Sequence, residues 1–281
     1  MSFFVATAEA GSFSAAAQRL NYAQSNLSSR IKQLEEELGE QLFYRHRKGV
    51  TLTAKGHVFY NYSVKMLRLS DETITAIKNM DEARGQLLIG SIEATVMDDL
   101  PALLSEYHNH YPDVKLTIYT DLNDPLIDKV LDRSLDGAFV AGPVSDPEIE
   151  EIHFNEKHLS LLGSSSSAEI SAASILTDGS LITFTPGSEF RHRFEMLLSS
   201  RSVSYLHRLH TMNSLSANIL NICAGIGYGY LPRSVAAPYI EQGLMKEYPL
   251  DDPYAELEVV FIYRKDRIMD AAFRYFLDSI R

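Results

Sequence analysis

The chain has 281 residues, 45% of them hydrophobic, which is enough for two packed domains and cores of ordinary size. Its single cysteine, Cys223, excludes an internal disulfide and suits a reducing compartment. No run approaches the roughly 20 apolar residues of a membrane span, and the opening MSFFVATAEAG lacks the basic start of a secretion signal. The net charge of −11 argues against nucleic acid until its distribution is examined. Residues 1–60 hold seven Lys/Arg against five Glu, an excess of two positive charges, which leaves −13 on the remainder. A basic head on an acidic body keeps a polyanion at one end of the chain.

The head reads as short helices followed by a hairpin. Ser12 is an N-cap for a helix over 14–20, with Phe13, Ala16, Ala17 and Leu20 at helical spacing. Asn21-Tyr22 breaks the pattern. A second helix is predicted from Gln24 to Leu38, with Leu27, Ile31, Leu34 and Leu38 as its buried stripe and Gly39 as its stop. Gln24, Ser25, Ser28 and Ser29 lie off that stripe. Leu42-Phe43 anchors to the core, and 44–52 reads as a two-stranded wing turning at Lys48-Gly49.

From Thr53 to about Met80 the pattern is one long helix. Phe59, Tyr62, Met66, Leu69, Thr73, Ile77 and Met80 recur at heptad-like spacing, a stripe that a second copy of the chain would cover. Packing within its own domain is the competing reading. Residues 81–85 form a polar linker.

Beyond Gln86, apolar strands alternate with helices. Strands are expected at 87–90, 115–119 and 137–141, with helices at 96–111 and 125–134 between them. The alternation recurs as strand 181–184, helix 189–199, strand 206–211, helix 214–224 and strand 227–231. Such order implies parallel sheets with right-handed crossovers, hence two α/β lobes meeting at a cleft. His158–Leu162 and Leu257–Tyr263 are candidate crossing strands.

The segments GSFSAAAQRL, QSNLSSRIKQLEEELGEQLF and GVTLTAKG, with Arg45 between the last two, resemble the winged helix-turn-helix of LysR-type transcriptional regulators. GQLLIGS, HNHYPDVKL, LDGAFVAGP and CAGIGYGYLP extend the resemblance along the whole chain. It implies an α/β protein. An all-α winged helix-turn-helix occupies 1–57, and a dimerising linker helix and hinge occupy 58–85. A two-lobed effector-binding domain similar to type 2 periplasmic binding proteins occupies 86–281. Lobe one is expected at 86–160 plus 264–281 and lobe two at 161–263. The implied function is sequence-specific DNA binding modulated by a small-molecule effector, with no enzyme activity, no metal and no cofactor. The implied partners are double-stranded promoter DNA, the effector and a second or fourth copy of the chain, as homodimer or homotetramer. The resemblance also admits RNA polymerase, excludes a membrane and places the protein in the cytoplasm. Three departures stand out: residues that normally precede Phe3 are missing, Ala23 replaces a Ser/Thr cap, and Ser25 replaces a common proline.

In this family the N-terminal side chains of the second helix enter the major groove. Here they are Gln24, Ser25, Asn26, Ser28, Ser29 and Arg30, with Arg45, Arg47 and Lys48 on phosphates. Solvated helix surface is the plain alternative for the serines, and an ion pair with a nearby Glu is the alternative for Arg30. Doubly wound folds bind ligands beyond the carboxyl ends of their strands. Four turns qualify: 91–95, 120–124, 185–188 and 213–214. The effector candidates are Ser91, Glu93, Thr95, Asp121, Thr185, Asn213 and Ser214. Glu93, Asp98, Asp99 and Asp121 would oppose an anion there unless Arg191 or His192 points inward, so a neutral or cationic effector stays open.

No nucleophile elbow, zinc helix or P-loop is present. Gly225–Gly229 follows a helix and precedes a strand, the wrong order for phosphate. His108 and His110 cannot face one metal from a helix, and His207 and His210 flank a strand.

Overall fold

The computed structural model describes residues 1–78, 82–203, 208–250 and 253–281, without the side chains of residues 72, 75, 76 and 78. The chain forms two compact units, residues 1–78 and 79–281.

The first unit contains helices α1 (Ser2–Ala10), α2 (Phe13–Arg19) and α3 (Gln24–Leu38), strands β1 (Phe43–His46) and β2 (Gly49–Leu52), and helix α4 (Ala54–Lys78). Ser12 caps α2 by accepting from the Ala15 amide at 3.5 Å. Ala23 supplies no side-chain cap to α3, an omission that costs up to about 1 kcal/mol of local helix stability. Gly39 ends α3 in the left-handed region at φ 68°. Leu27 and Ile31 are buried, whereas Leu38 is 44% exposed, so the packed stripe is shorter than its spacing suggests. Phe4 centres the core, 5.0 Å from both the Phe43 and Phe59 rings. The wing pairs His46 with Gly49, so its turn is Arg47-Lys48 and not Lys48-Gly49. Gly56 is required where α4 passes this core: a Cβ there would sit 2.1 Å from the Leu42 carbonyl oxygen.

Helix α4 divides the predicted stripe. Phe59, with Tyr60, Val64 and Leu67, packs on the head. Tyr62, Met66, Leu69 and Ile77 stay exposed, joined by Val58 and Ile74. Thr73 is exposed and bonds back to the Leu69 carbonyl. Met80 and Asp81 lie outside the described residues.

The second unit carries a mixed sheet. Its strands are β3 (Gly85–Ser91), β4 (Val114–Thr120), β5 (Gly137–Ala141), β6 (Ile149–Ser164), β7 (Leu181–Phe184), β8 (Leu209–Met212), β9 (Tyr228–Pro232), β10 (Met245–Tyr248) and β11 (Glu256–Arg264). The described strands run in the order β4-β3-β5-β11-β6-β9-β7-β8, with β10 also on β6. In the first lobe β3 lies parallel between β4 and β5. In the second lobe β7 lies parallel between β8 and β9. The two lobes thus repeat one topology. They share β6: residues 149–158 pair with β11, and residues 159–164 pair with β9 and β10.

Leu257–Tyr263 was expected in lobe two. It pairs instead with β5 and the first part of β6, which places it in the sheet of lobe one. Its residues are apolar on both faces because that sheet is covered on both sides. The single helix expected over 96–111 is two: α5 (Glu93–Met97) and α6 (Leu100–His110). Pro101 opens α6, Asp98 leaves the helical region, and both Asp98 and Asp99 pair with Lys157. The helices expected at 125–134, 189–199 and 214–224 are α7 (Asn123–Leu131), α9 (Glu189–Ser200) and α10 (Leu215–Cys223). The strand expected at 206–211 is described only from Leu209, and residues 204–207, His207 included, lie outside the described residues. Helices α8 (Ala172–Asp178), α11 (Arg233–Glu241) and α12 (Ala271–Ile280) complete the chain. Phe276 of α12 packs within 5.3–5.6 Å of Tyr107 and Phe261, so the C-terminus closes the first lobe.

Candidate DNA-reading surface and ligand cleft

Helical periodicity decides which edge of α3 meets solvent. Leu27 and Ile31 turn inward, which turns Gln24, Ser25, Asn26, Ser29 and Arg30 outward. Ser28 is half-buried. None of these six side chains makes a hydrogen bond or ion pair among the described residues, so Arg30 does not take the Glu partner that a surface lysine-like role would give it. Arg47 and Lys48 on the wing are exposed and likewise carry no ion pair among the described residues. Arg45 is different. Glu35 accepts from the Leu42 and Phe43 amides at 2.9 and 3.2 Å and holds the Arg45 guanidinium at 2.9 Å. The guanidinium also lies 5.2 Å from the centre of the Phe13 ring. Arg45 is therefore aimed, with N–H groups left over for another acceptor.

In the second unit, a cavity of about 250 Å³ lies between the lobes. The four predicted turns all reach it. Ile92 and Glu93 follow β3, Thr120–Asn123 follow β4, Ser188–Phe190 follow β7, and Asn213 follows β8. Among the seven effector candidates, Glu93, Asp121 and Asn213 line it. Ser214 stands beside the rim, hydrogen-bonded to Glu93 at 3.1 Å. Thr185 is half-buried behind Ser188. Ser91 and Thr95 are fully buried and do not line the cavity, because β3 and α5 turn them toward the lobe interior. The Ser91 hydroxyl donates to the Ile92 carbonyl, and the Thr95 hydroxyl has no partner.

Sequence reasoning missed the apolar walls Phe184 and Phe190 and the polar Asn123. The aromatics looked like ordinary core residues, and Phe184 is 4% exposed. Asn123 pairs both ways with the Ala141 backbone, at 2.7 and 3.1 Å, and so fixes the rim to the end of β5.

The charges around the cleft are matched. Lys129 pairs with Asp121 at 3.0 Å, and Arg193 with Glu189 at 3.1 Å. Burial works against the Asp121 carboxylate, but Lys129 and the Leu122 amide hold it below the usual range. Arg191 and His192 line an adjoining cavity of about 430 Å³. Arg191 is occupied by Glu195 at 2.7 Å and by the Phe184 carbonyl at 3.0 Å. Asp98 and Asp99 do not face the cavity. They pair with Lys157, which is buried at 3% on β6, and Asp98 also accepts from Ser234 of α11 at 2.5 Å. Burial raises the Asp98 carboxyl above its usual range, whereas for Asp99 the Lys157 ammonium outweighs burial and lowers it.

Residues 1–57 match the bacterial regulatory helix-turn-helix protein, lysR family, and residues 80–281 match the LysR substrate binding domain. The chain belongs to the LysR family. It is a transcriptional regulator with a helix-turn-helix DNA-binding domain and an effector domain, and not an enzyme. It is 35% identical over 278 residues to the HTH-type transcriptional regulator GltR of Bacillus subtilis, spanning 99% of this chain and 94% of that one. It is also 35% identical over 280 residues to the HTH-type transcriptional regulator CzcR of Bacillus cereus, spanning 100% and 95%. Full-length CbnR complexed with its target DNA shares the LysR fold, with a TM-score of 0.74 over 100% of this chain and 97% of that one at 21% identity. Among the described residues, no helix is long and apolar enough to cross a membrane.

Lys157 sits between both lobes and two carboxylates. Lys157→Met should cost about 3 kcal/mol near pH 7, because it strands buried negative charge. The deficit should narrow as pH falls toward 4, where the two acids take up protons in the variant. Urea melts of wild type and variant across pH 4–8 check both parts, and a deficit independent of pH would show that charge is not the cause.

Proposed function

We propose that this regulator reads promoter DNA with paired heads. The exposed start of α3 enters the major groove, and the wing rests on phosphate. The observation that carries this reading is the unoccupied row Gln24, Ser25, Asn26, Ser28, Ser29 and Arg30. Amide and guanidinium groups with no internal partner are free for adenine and guanine edges. Arg45, Arg47 and Lys48 supply affinity without sequence information. The −13 body repels DNA elsewhere on the chain.

The exposed row Tyr62, Met66, Leu69 and Ile77 on α4 supports a homodimer through that helix. A tetramer built from two such dimers, promoter DNA in the cytoplasm and a contact with RNA polymerase accord with the family. The cleft between the lobes holds a small-molecule effector, with Glu93, Asp121 and Asn213 on its wall. Binding favours one lobe arrangement over another, and that shift in population changes how the paired heads meet DNA.

Arg30→Ala should weaken cognate DNA binding by about 1–3 kcal/mol and relax one base position. Lys48→Ala should weaken all sequences alike and lower the slope of log K against log salt by about one. Fluorescence anisotropy on cognate and scrambled duplexes at several salt concentrations separates the two, and equal losses on both duplexes for Arg30→Ala would remove it from base reading. Leu69→Glu should shift the full chain toward monomer in sedimentation velocity. A dimer of unchanged strength would clear α4 of that role.

A further inference from the structure

Glu93 opens α5 at the end of β3, in the first lobe, yet its carboxylate is spent in the second. It accepts from the Leu215 amide at 2.7 Å and the Ser214 hydroxyl at 3.1 Å. The Ser216 amide and hydroxyl complete the set at 3.5 Å. All four donors belong to the start of α10, a nine-residue helix whose free amides and partial positive charge favour an anion. The protein's own carboxylate already occupies that position. The remaining charged groups lining the cavity, Asp121 and Glu189, are acids. Among the described residues no lysine, arginine or histidine lines it.

We infer that Glu93 is a built-in anion at the first turn of α10: it clasps the two lobes across the cleft and bars carboxylate ligands from that turn. It is thereby the residue that sets the ligand class. An incoming carboxylate would have to evict Glu93 and take the donors of α10 in a cavity lined by no cation, beside Asp121 and Glu189, whose charges Lys129 and Arg193 already pair. A neutral or cationic small molecule meets none of these penalties and can donate to the acids that remain. The ligand class rests on the effector reading above, whereas the clasp itself rests only on the contacts of Glu93.

The clasp is tested by chemical rescue in the full chain, without DNA or effector. Glu93→Ala removes the carboxylate and leaves space for a small one. Thermal unfolding is followed in sodium acetate and in sodium chloride at equal ionic strength, for wild type, Glu93→Ala and the isosteric Glu93→Gln. The Tm of the effector domain should fall by about 5 °C in Glu93→Ala. Acetate should restore more than half of that loss where chloride does not. Wild type should show only the general salt effect of acetate, with no saturable component. Glu93→Gln should lose stability without recovery, because its amide fills the space but lacks the charge.

A wild-type Tm for Glu93→Gln would overturn the anionic clasp, even if Glu93→Ala failed to fold. The acetate gain of wild type reports the general effect of the salt; no gain in Glu93→Ala beyond it would overturn the anionic clasp, and saturable stabilisation of wild type by millimolar acetate would overturn the exclusion of carboxylates. None of these readouts involves DNA, so a chain that shows the rescue but no promoter preference would overturn the proposed regulation and leave the clasp standing.

Discussion

The sensor depends on one shared strand. β6 runs through both lobes, giving its first part to β11 and its last part to β9 and β10. The β6–β11 ladder shifts register once, between Val259 and Val260, and keeps its pairing on either side of that irregularity. The two β-α-β-α-β halves are therefore joined through one strand, with the carboxyl ends of β3, β4, β7 and β8 around one cavity. Lys157 sits on this strand, at the point where charge from α5–α6 and a hydroxyl from α11 converge. A buried lysine paired to two acids adds less to stability than its contacts suggest, but it penalises arrangements that separate them.

The cleft is built by opposed demands. Its rim offers helix starts, which favour negative charge, and its wall already holds three carboxylates. The protein reconciles the two internally. Glu93 occupies the start of α10, Lys129 takes Asp121, and Arg193 takes Glu189. A cavity whose charges are already matched gains most from shape and from a few neutral hydrogen bonds. Asn123 and Asn213 supply the latter, and Phe184 and Phe190 supply apolar area.

The head works by the reverse economy. Its core is small and aromatic, Phe4 against Phe43 and Phe59, so α3 has a single face to bury. The exposed start of α3 keeps amide, hydroxyl and guanidinium groups with no internal partner among the described residues. Arg45 is the exception, held by Glu35 and by the Phe13 ring, which restricts its side chain before any ligand is met. Position on the surface and freedom from partners together are what support the proposed reading role of the start of α3.

Much of this was legible in residue order. The helical spacing of Leu27 and Ile31 indicated α3, and the glycine after Leu38 ended it. Alternating apolar strands and helices indicated two α/β lobes and the four turns that form the rim. Local pattern determines such features because each depends on neighbours a few residues away. Contacts between distant segments decided the rest. Leu257–Tyr263 joined lobe one because its partners are Ala138–Ala141, more than a hundred residues earlier. Asp98 and Asp99, at the break between α5 and α6, pair with Lys157 of β6 and not with the cleft, a contact between segments nearly sixty residues apart. Phe59 left the exposed stripe for Phe4. Glu93, an acid that sequence order could only place at the cleft mouth, became a partner of α10, since no spacing rule links residue 93 to residue 215.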